Sequence, residues 1–190
     1  AVVASTKPAS NRLLLGPIRS RRRAQLAARA LLPEELAAPA RALPRLRRRL
    51  AVLEDARRCE DAARQRDRVQ ALERVCRELD RLARMRAVER CVLAPALEPG
   101  HVRAFFVAGG RVCAERTLPP GGGAHLEVEA GLAAARRALR EDEPGDLDEL
   151  YLVGTFLRRP PPELKIVRLD RETILRTADA IASARVIATR

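Results

Sequence analysis

Aromatic side chains are nearly missing from this chain. It has no tryptophan, one tyrosine (Tyr151) and three phenylalanines (Phe105, Phe106 and Phe156) in 190 residues, although 47% of the residues are apolar. Any core must therefore be built mainly from leucine, valine, isoleucine and alanine. No apolar run approaches a membrane span and no signal peptide is visible, so no membrane association is expected. Histidine is limited to His101 and His125, far apart, and the four cysteines (Cys59, Cys76, Cys91, Cys113) contain no C-x-x-C pair. Zinc-site spacing is thus absent, and the expectation is scattered thiols in a reducing cytoplasm, with no metal and no cofactor. The chain starts at Ala1 and its one methionine is Met85, which points to a piece of a longer protein or a processed form.

Lysine is also scarce. Lys7 and Lys165 are the only two, so the net charge of +12 is carried by arginine. The wealth of Arg, Ala, Leu and Pro has the look of a GC-rich coding bias. Such a bias raises arginine everywhere, yet residues 1–50 hold 12 basic and 2 acidic groups, while 51–100 hold 11 and 10 and 101–190 hold 14 and 13. Residues 1–32 contain no acid at all. Missing acids, rather than extra arginines, mark the first segment as a candidate polyanion surface.

The length suits one ordinary domain or two small ones. In residues 1–32, "TKPASNRLLLGP" reads as a loop around a short strand, Leu13 to Leu15, and "SRRRAQLAARALL" as a helix capped by Ser20. Arg21, Arg22 and Arg23 crowd the first turn, where the helix dipole disfavours cations unless an anion is near. Two readings stay open: a phosphate cradle or a solvated basic turn. The candidate DNA contacts are Lys7, Arg12, Arg19, Arg21, Arg22 and Arg23. Residues 33–43 read as a linker or a broken helix, because Pro33, Pro39 and Pro44 prevent one continuous element.

Residues 44–94 read as a helical hairpin. Leu43, Leu46, Leu50 and Leu53 form a narrow leucine seam. A second helix, from about Glu60 to about Arg90, has the seam Ala62, Arg66, Val69, Leu72, Cys76, Leu79 and Ala83. Between them "DARRC" only allows a reversal, so the seams face one another antiparallel. The second helix is the longer, and from Leu79 onward it needs another partner: the C-terminal unit, a second copy in a homo-oligomer, or another protein. Arg66 on the seam requires a carboxylate, with Glu54 or Asp55 in reach. It and Asp67 either lock the hairpin's own turn or dock a partner.

Residues 100–190 read as a small α+β unit, joined to the hairpin by "LEPG". Two strands flank Gly109-Gly110, a hairpin signal, and "PPGGG" is a loop. A helix follows with apolar positions Leu126, Leu132, Ala135 and Leu139. Residues 147–157 are read as a helix capped by Asp146 or Asp148, "LKIVRL" as a strand, and "RETILRTADAIASA" as a helix capped by Asp170. His125, Glu127 and Glu129 would share a face only on a strand, so they are read as surface positions. The fold class expected is α+β.

The stretch "EDAARQRDRVQAL" (60–72) resembles the UVR motif, E-x-A-A-x-x-R-D-x-[IV]-x-x-L, a short helical hairpin of bacterial nucleotide-excision-repair proteins. Glu60, Ala62, Ala63, Arg66, Asp67, Val69 and Leu72 match it, while Cys59 stands where the family has phenylalanine. "NRLLLGPIRSRRRAQLAARAL" is similar to the stretch after the GIY-YIG nuclease domain in the nuclease component of excinuclease ABC. "FFVAGGRVCAERTLPPGGGAHLEVEAGL" and "GTFLRRPPPELKIVRL" resemble the tail of a family that fuses a DNA polymerase III epsilon-type exonuclease to GIY-YIG and UVR modules. The resemblance implies a region with no catalytic residue of its own that binds DNA. It also implies docking of an excinuclease subunit-B-like protein through Glu60, Ala63, Arg66, Asp67, Val69 and Leu72. The nuclease tyrosines and the converging carboxylates that two-metal chemistry needs are missing. Two alternatives remain: the C-terminal part of an active nuclease whose catalytic domain lies upstream, and a UVR-type stress or protein-quality adaptor.

Overall fold

The computed structural model describes residues 18–141 and 146–188, with side chains through 184. The chain is α+β and divides into two compact units, one ending at Ala83 and the other starting at Arg84. In the first unit, α1 (Arg21–Ala28) leads through two short 3-10 turns, Pro33–Glu35 and Pro39–Ala42, to α2 (Leu43–Asp55). The long helix α3 (Cys59–Arg86) follows and continues into the second unit. Only Ala56, Arg57 and Arg58 separate α2 from α3, and Arg57 takes a left-handed φ of 54° to make the reversal. Late residues of α2 meet early residues of α3 (Glu54 with Arg66) and early ones meet late ones (Arg47 with Glu73), so the two run antiparallel.

The stretch expected to be a linker, 33–43, is instead part of the core. Pro39 and Ala42 are buried, and Ala42 packs with Leu46, Ala27 and Ala30 against Val69, Leu72 and Val75. The prolines break a helix but suit 3-10 turns, which can pack as tightly as a helix over a few residues. A second correction concerns the far half of α3. Leu79 packs against this same core, to which α1 contributes, and the Arg19 N–H donates to Glu78 Oε1 at 3.1 Å. α1 is therefore the third helix of the bundle, and Leu79 has its partner within the unit.

The second unit is built from β1 (Glu89–Pro95), β2 (Val102–Ala108), β3 (Arg111–Leu118), α4 (Gly123–Arg140), α5 (Leu147–Phe156), β4 (Lys165–Arg168) and α6 (Arg171–Ala188). The sheet order is β3-β2-β1-β4, and each neighbouring pair is antiparallel. Gly109 and Gly110, both at positive φ, make the two-residue turn between β2 and β3. Asp146 and Asp170 accept from the N–H groups of Asp148 and Thr173, capping α5 and α6 as expected.

Two boundaries differ from expectation. The helix read to Arg90, and the hairpin read to 94, stop at Arg86, and Glu89–Pro95 forms an additional strand at the sheet centre. Cys91, Val92 and Leu93 are all buried, so this strand has no alternation of polar and apolar residues to betray it. On α4 Leu132 and Ala135 are buried as expected, together with Ala124, Val128 and Gly131, whereas Leu126 is 77% exposed and Leu139 also reaches solvent. Gly131 faces inward where the Phe106 ring, wholly buried, lies against the helix. A β-carbon on Gly131 would collide with that ring. Gly131→Ala should therefore destabilise by about 1–3 kcal/mol through overpacking, outweighing its gain in helix propensity. Urea unfolding checks this, and an unchanged midpoint would contradict the close approach.

Candidate nucleic-acid interface

Ser20 Oγ accepts from the Arg23 N–H at 3.3 Å, which fixes the start of α1 and with it the direction of the first-turn arginines. On α3, Asp67, Gln70 and Arg74 follow one another at helical spacing and share a face. The two sets meet. Ser20, Arg22, Arg23 and Leu26 from α1 and Asp67, Gln70, Ala71 and Arg74 from α3 line a single polar cleft of about 320 Å³. Among the described residues none of Arg22, Arg23, Arg74 and Asp67 forms an ion pair or hydrogen bond through its side chain. Several other arginines of this unit do have a carboxylate: Arg45 pairs with Glu35, Arg47 with Glu73, Arg58 with Asp61, Arg64 with Glu60 and Arg66 with Glu54.

Not every residue named from the sequence enters this cleft. Arg21 points to the other side of α1, along an apolar hollow with Ile18, Leu31 and Leu36. Lys7 and Arg12 lie outside the described residues. Arg74, Gln70 and Ser20 were not anticipated as cleft residues. Arg74 could have been found as the position seven beyond Asp67, but nothing in the sequence shows which face of α3 meets α1.

The motif residues are rearranged by one position. The polar residue on the seam is Gln65, 3% exposed, whose Nε2 donates to the Leu46 carbonyl at 3.1 Å. Arg66 sits on the flank and binds Glu54, Nη2 to Oε1 2.5 Å, with the two side chains 49% and 45% exposed. Val69 and Leu72, expected on a partner-binding face, are buried in the first unit's own core and cannot touch a partner. Glu60, Ala63 and Asp67 are exposed, at spacing that puts them on one face.

In the second unit the carboxylates near the sheet are engaged by arginines. Glu115 pairs with Arg103, Glu127 with Arg116 at 3.7 Å and Glu129 with Arg171 at 3.3 Å, and His125 Nδ1 lies 3.0 Å from Arg171 Nη2. Among the described residues no group of three or more His, Cys, Asp or Glu is placed to hold a metal, and no helix is long and apolar enough to cross a membrane. A second cavity, an apolar groove of about 470 Å³, lies between the sheet and α5, lined by Val92, Phe105, Val107, Val112, Leu152 and their neighbours.

Fold and site together define a two-unit α+β protein whose helical unit carries an arginine-lined cleft. No family model matches this chain, and neither a curated protein nor a solved structure matches it.

Two outcomes follow from the ion pairs. A double-mutant cycle on Glu54 and Arg66 should give a coupling of no more than about 1 kcal/mol, because both groups are half in solvent; several kcal/mol would mean a desolvated lock. The Glu35 carboxyl is held below its ordinary value of 4.5 by Arg45 and by the Leu32 N–H. A depressed carboxyl contributes stability that is complete above the ordinary value and is lost as pH falls through the lowered one. Thermal melts should thus decline on acidification, and Arg45→Gln should flatten part of that decline. Identical acid limbs would contradict it.

Proposed function

We propose that the first unit is the DNA-binding and partner-recruiting region of a bacterial DNA-repair nuclease of the nucleotide-excision-repair type. In this reading the catalytic groups lie elsewhere in the parent protein. The observation that carries the proposal is the cleft in which Arg22, Arg23 and Arg74 converge without a paired carboxylate. Cations in the first turn of a helix oppose its dipole by roughly 0.3–1 kcal/mol each. An anion in the cleft reverses that penalty, and phosphodiester oxygens suit guanidinium geometry. Residues 18–32, from which α1 is built, carry no acid to offset this field.

Partner recruitment rests on the resemblance of residues 60–72 to the UVR motif and falls on fewer residues than that motif names. Arg66 is occupied by Glu54, and Val69 and Leu72 are buried, which leaves Ala63, Asp67 and the loosely paired Glu60, 3.4 Å from Arg64, to meet an excinuclease subunit-B-like protein. Asp67 belongs to this face and to the cleft alike, so a docked partner and bound DNA would compete for or share it.

Binding of the full chain to labelled duplex DNA, followed against salt, tests the first half. Replacing Arg22, Arg23 and Arg74 by alanine should reduce the slope of log K against log salt by about 2–3, at roughly 0.9 per lost phosphate contact. An unchanged slope overturns the assignment. Capture of a subunit-B-like protein tests the second half: Asp67→Ala should abolish it, whereas Arg66→Ala should lower the melting temperature and leave capture in place. Capture that survives Asp67→Ala removes the recruitment claim.

A further inference from the structure

The first unit carries a second row of arginines. Arg41, Arg45, Arg48 and Arg49 stand at i, i+4, i+7 and i+8, the spacing of one helix flank, along the last 3-10 turn and α2. The opposite flank of α2 carries Arg47, tied to Glu73 of α3. Within the row only Arg45 has a carboxylate: its guanidinium binds Glu35 and the Ala30 carbonyl at 2.6 and 3.0 Å. Arg41, Arg48 and Arg49 are exposed, and among the described residues none forms an ion pair. The acids of α2, Glu54 and Asp55, lie at its far end, with Glu54 held by Arg66.

We infer that this flank of α2 is a second phosphate-binding surface, which takes the backbone of a nucleic-acid strand. It extends the reading of the α1 cleft to a surface that shares none of its residues. From Arg41 to Arg49 the row is about 12 Å long at 1.5 Å per residue. Neighbouring phosphates along a strand are roughly twice as far apart as its axial rise of about 3.4 Å, so the row spans two or three phosphates. Arg45, anchored by Glu35, holds the middle of the row rigid while its neighbours remain available. An anionic membrane surface is a poorer fit, because the apolar side of α2 faces the core, where Leu46 is buried, and Val52 is the one large apolar residue of α2 that is exposed. An acidic protein partner is also a poorer fit, because the row has no aromatic residue and Val52 is a small anchor for a hot spot.

The test uses the full chain and a labelled duplex, compared with phosphatidylglycerol vesicles and with polyglutamate. Replacing Arg41, Arg48 and Arg49 by alanine should lower the salt slope by about 2–3, and the lysine versions should restore it. A control, Arg47→Ala with Glu73→Ala, should leave the slope unchanged, and helical melting curves verify that every variant is folded. A wild-type slope in the alanine variant overturns the inference, as does affinity for vesicles or polyglutamate that equals affinity for DNA. If the cleft variant loses slope and the α2 variant does not, the second surface fails and the cleft stands. If neither loses slope, both fail.

Discussion

The hydrogen bond from Gln65 to the Leu46 carbonyl sets the rotation of α3. Gln65 is the one polar side chain in a line of buried positions, Ala62, Gln65, Val69, Leu72 and Val75, and an unpartnered amide there would cost roughly 1–3 kcal/mol. With that line facing α1 and α2, the next residues around the helix fall where function can use them. Arg66 reaches sideways to Glu54. Asp67, Gln70 and Arg74 turn to the start of α1, where Ser20 has already oriented Arg22 and Arg23. A rotation of one residue would bury the guanidinium and dismantle the cleft.

The second unit meets the shortage of aromatic residues in its own way. One wholly buried ring, Phe106, fills the centre of the sheet's covered face, and α4 presents Gly131 to it. The remaining core is aliphatic: Leu93, Leu118, Val128, Leu132 and Ile174 surround the ring. Cys91 belongs to this core as well, and burial pushes its thiol up to about 12, so it behaves as a small apolar residue rather than a nucleophile.

Much of the architecture was legible because it rests on local chemistry. The capping residues Ser20, Asp146 and Asp170, the Gly109-Gly110 turn and the leucine seam of α2 announce themselves through short-range rules. What was missed depended on distant contacts. The strand at 89–95 is buried on both faces, so period-two alternation is absent. The inward face of α4 is set by Phe106 and not by the larger Leu126 and Leu139. The seam of α3 admits Gln65 or Arg66 on spacing alone, and only the packing against Leu46 chooses. For the same reason the arginines of α1 were readable as candidates, while their meeting with Arg74 was not.

Arginine-specific chemical modification, mapped by mass spectrometry with and without duplex DNA, tests the central claim most directly. The account predicts that DNA protects Arg22, Arg23 and Arg74, while Arg64 and Arg66, engaged with Glu60 and Glu54, keep their reactivity. Protection spread evenly over all these arginines, or none in the cleft, would contradict it.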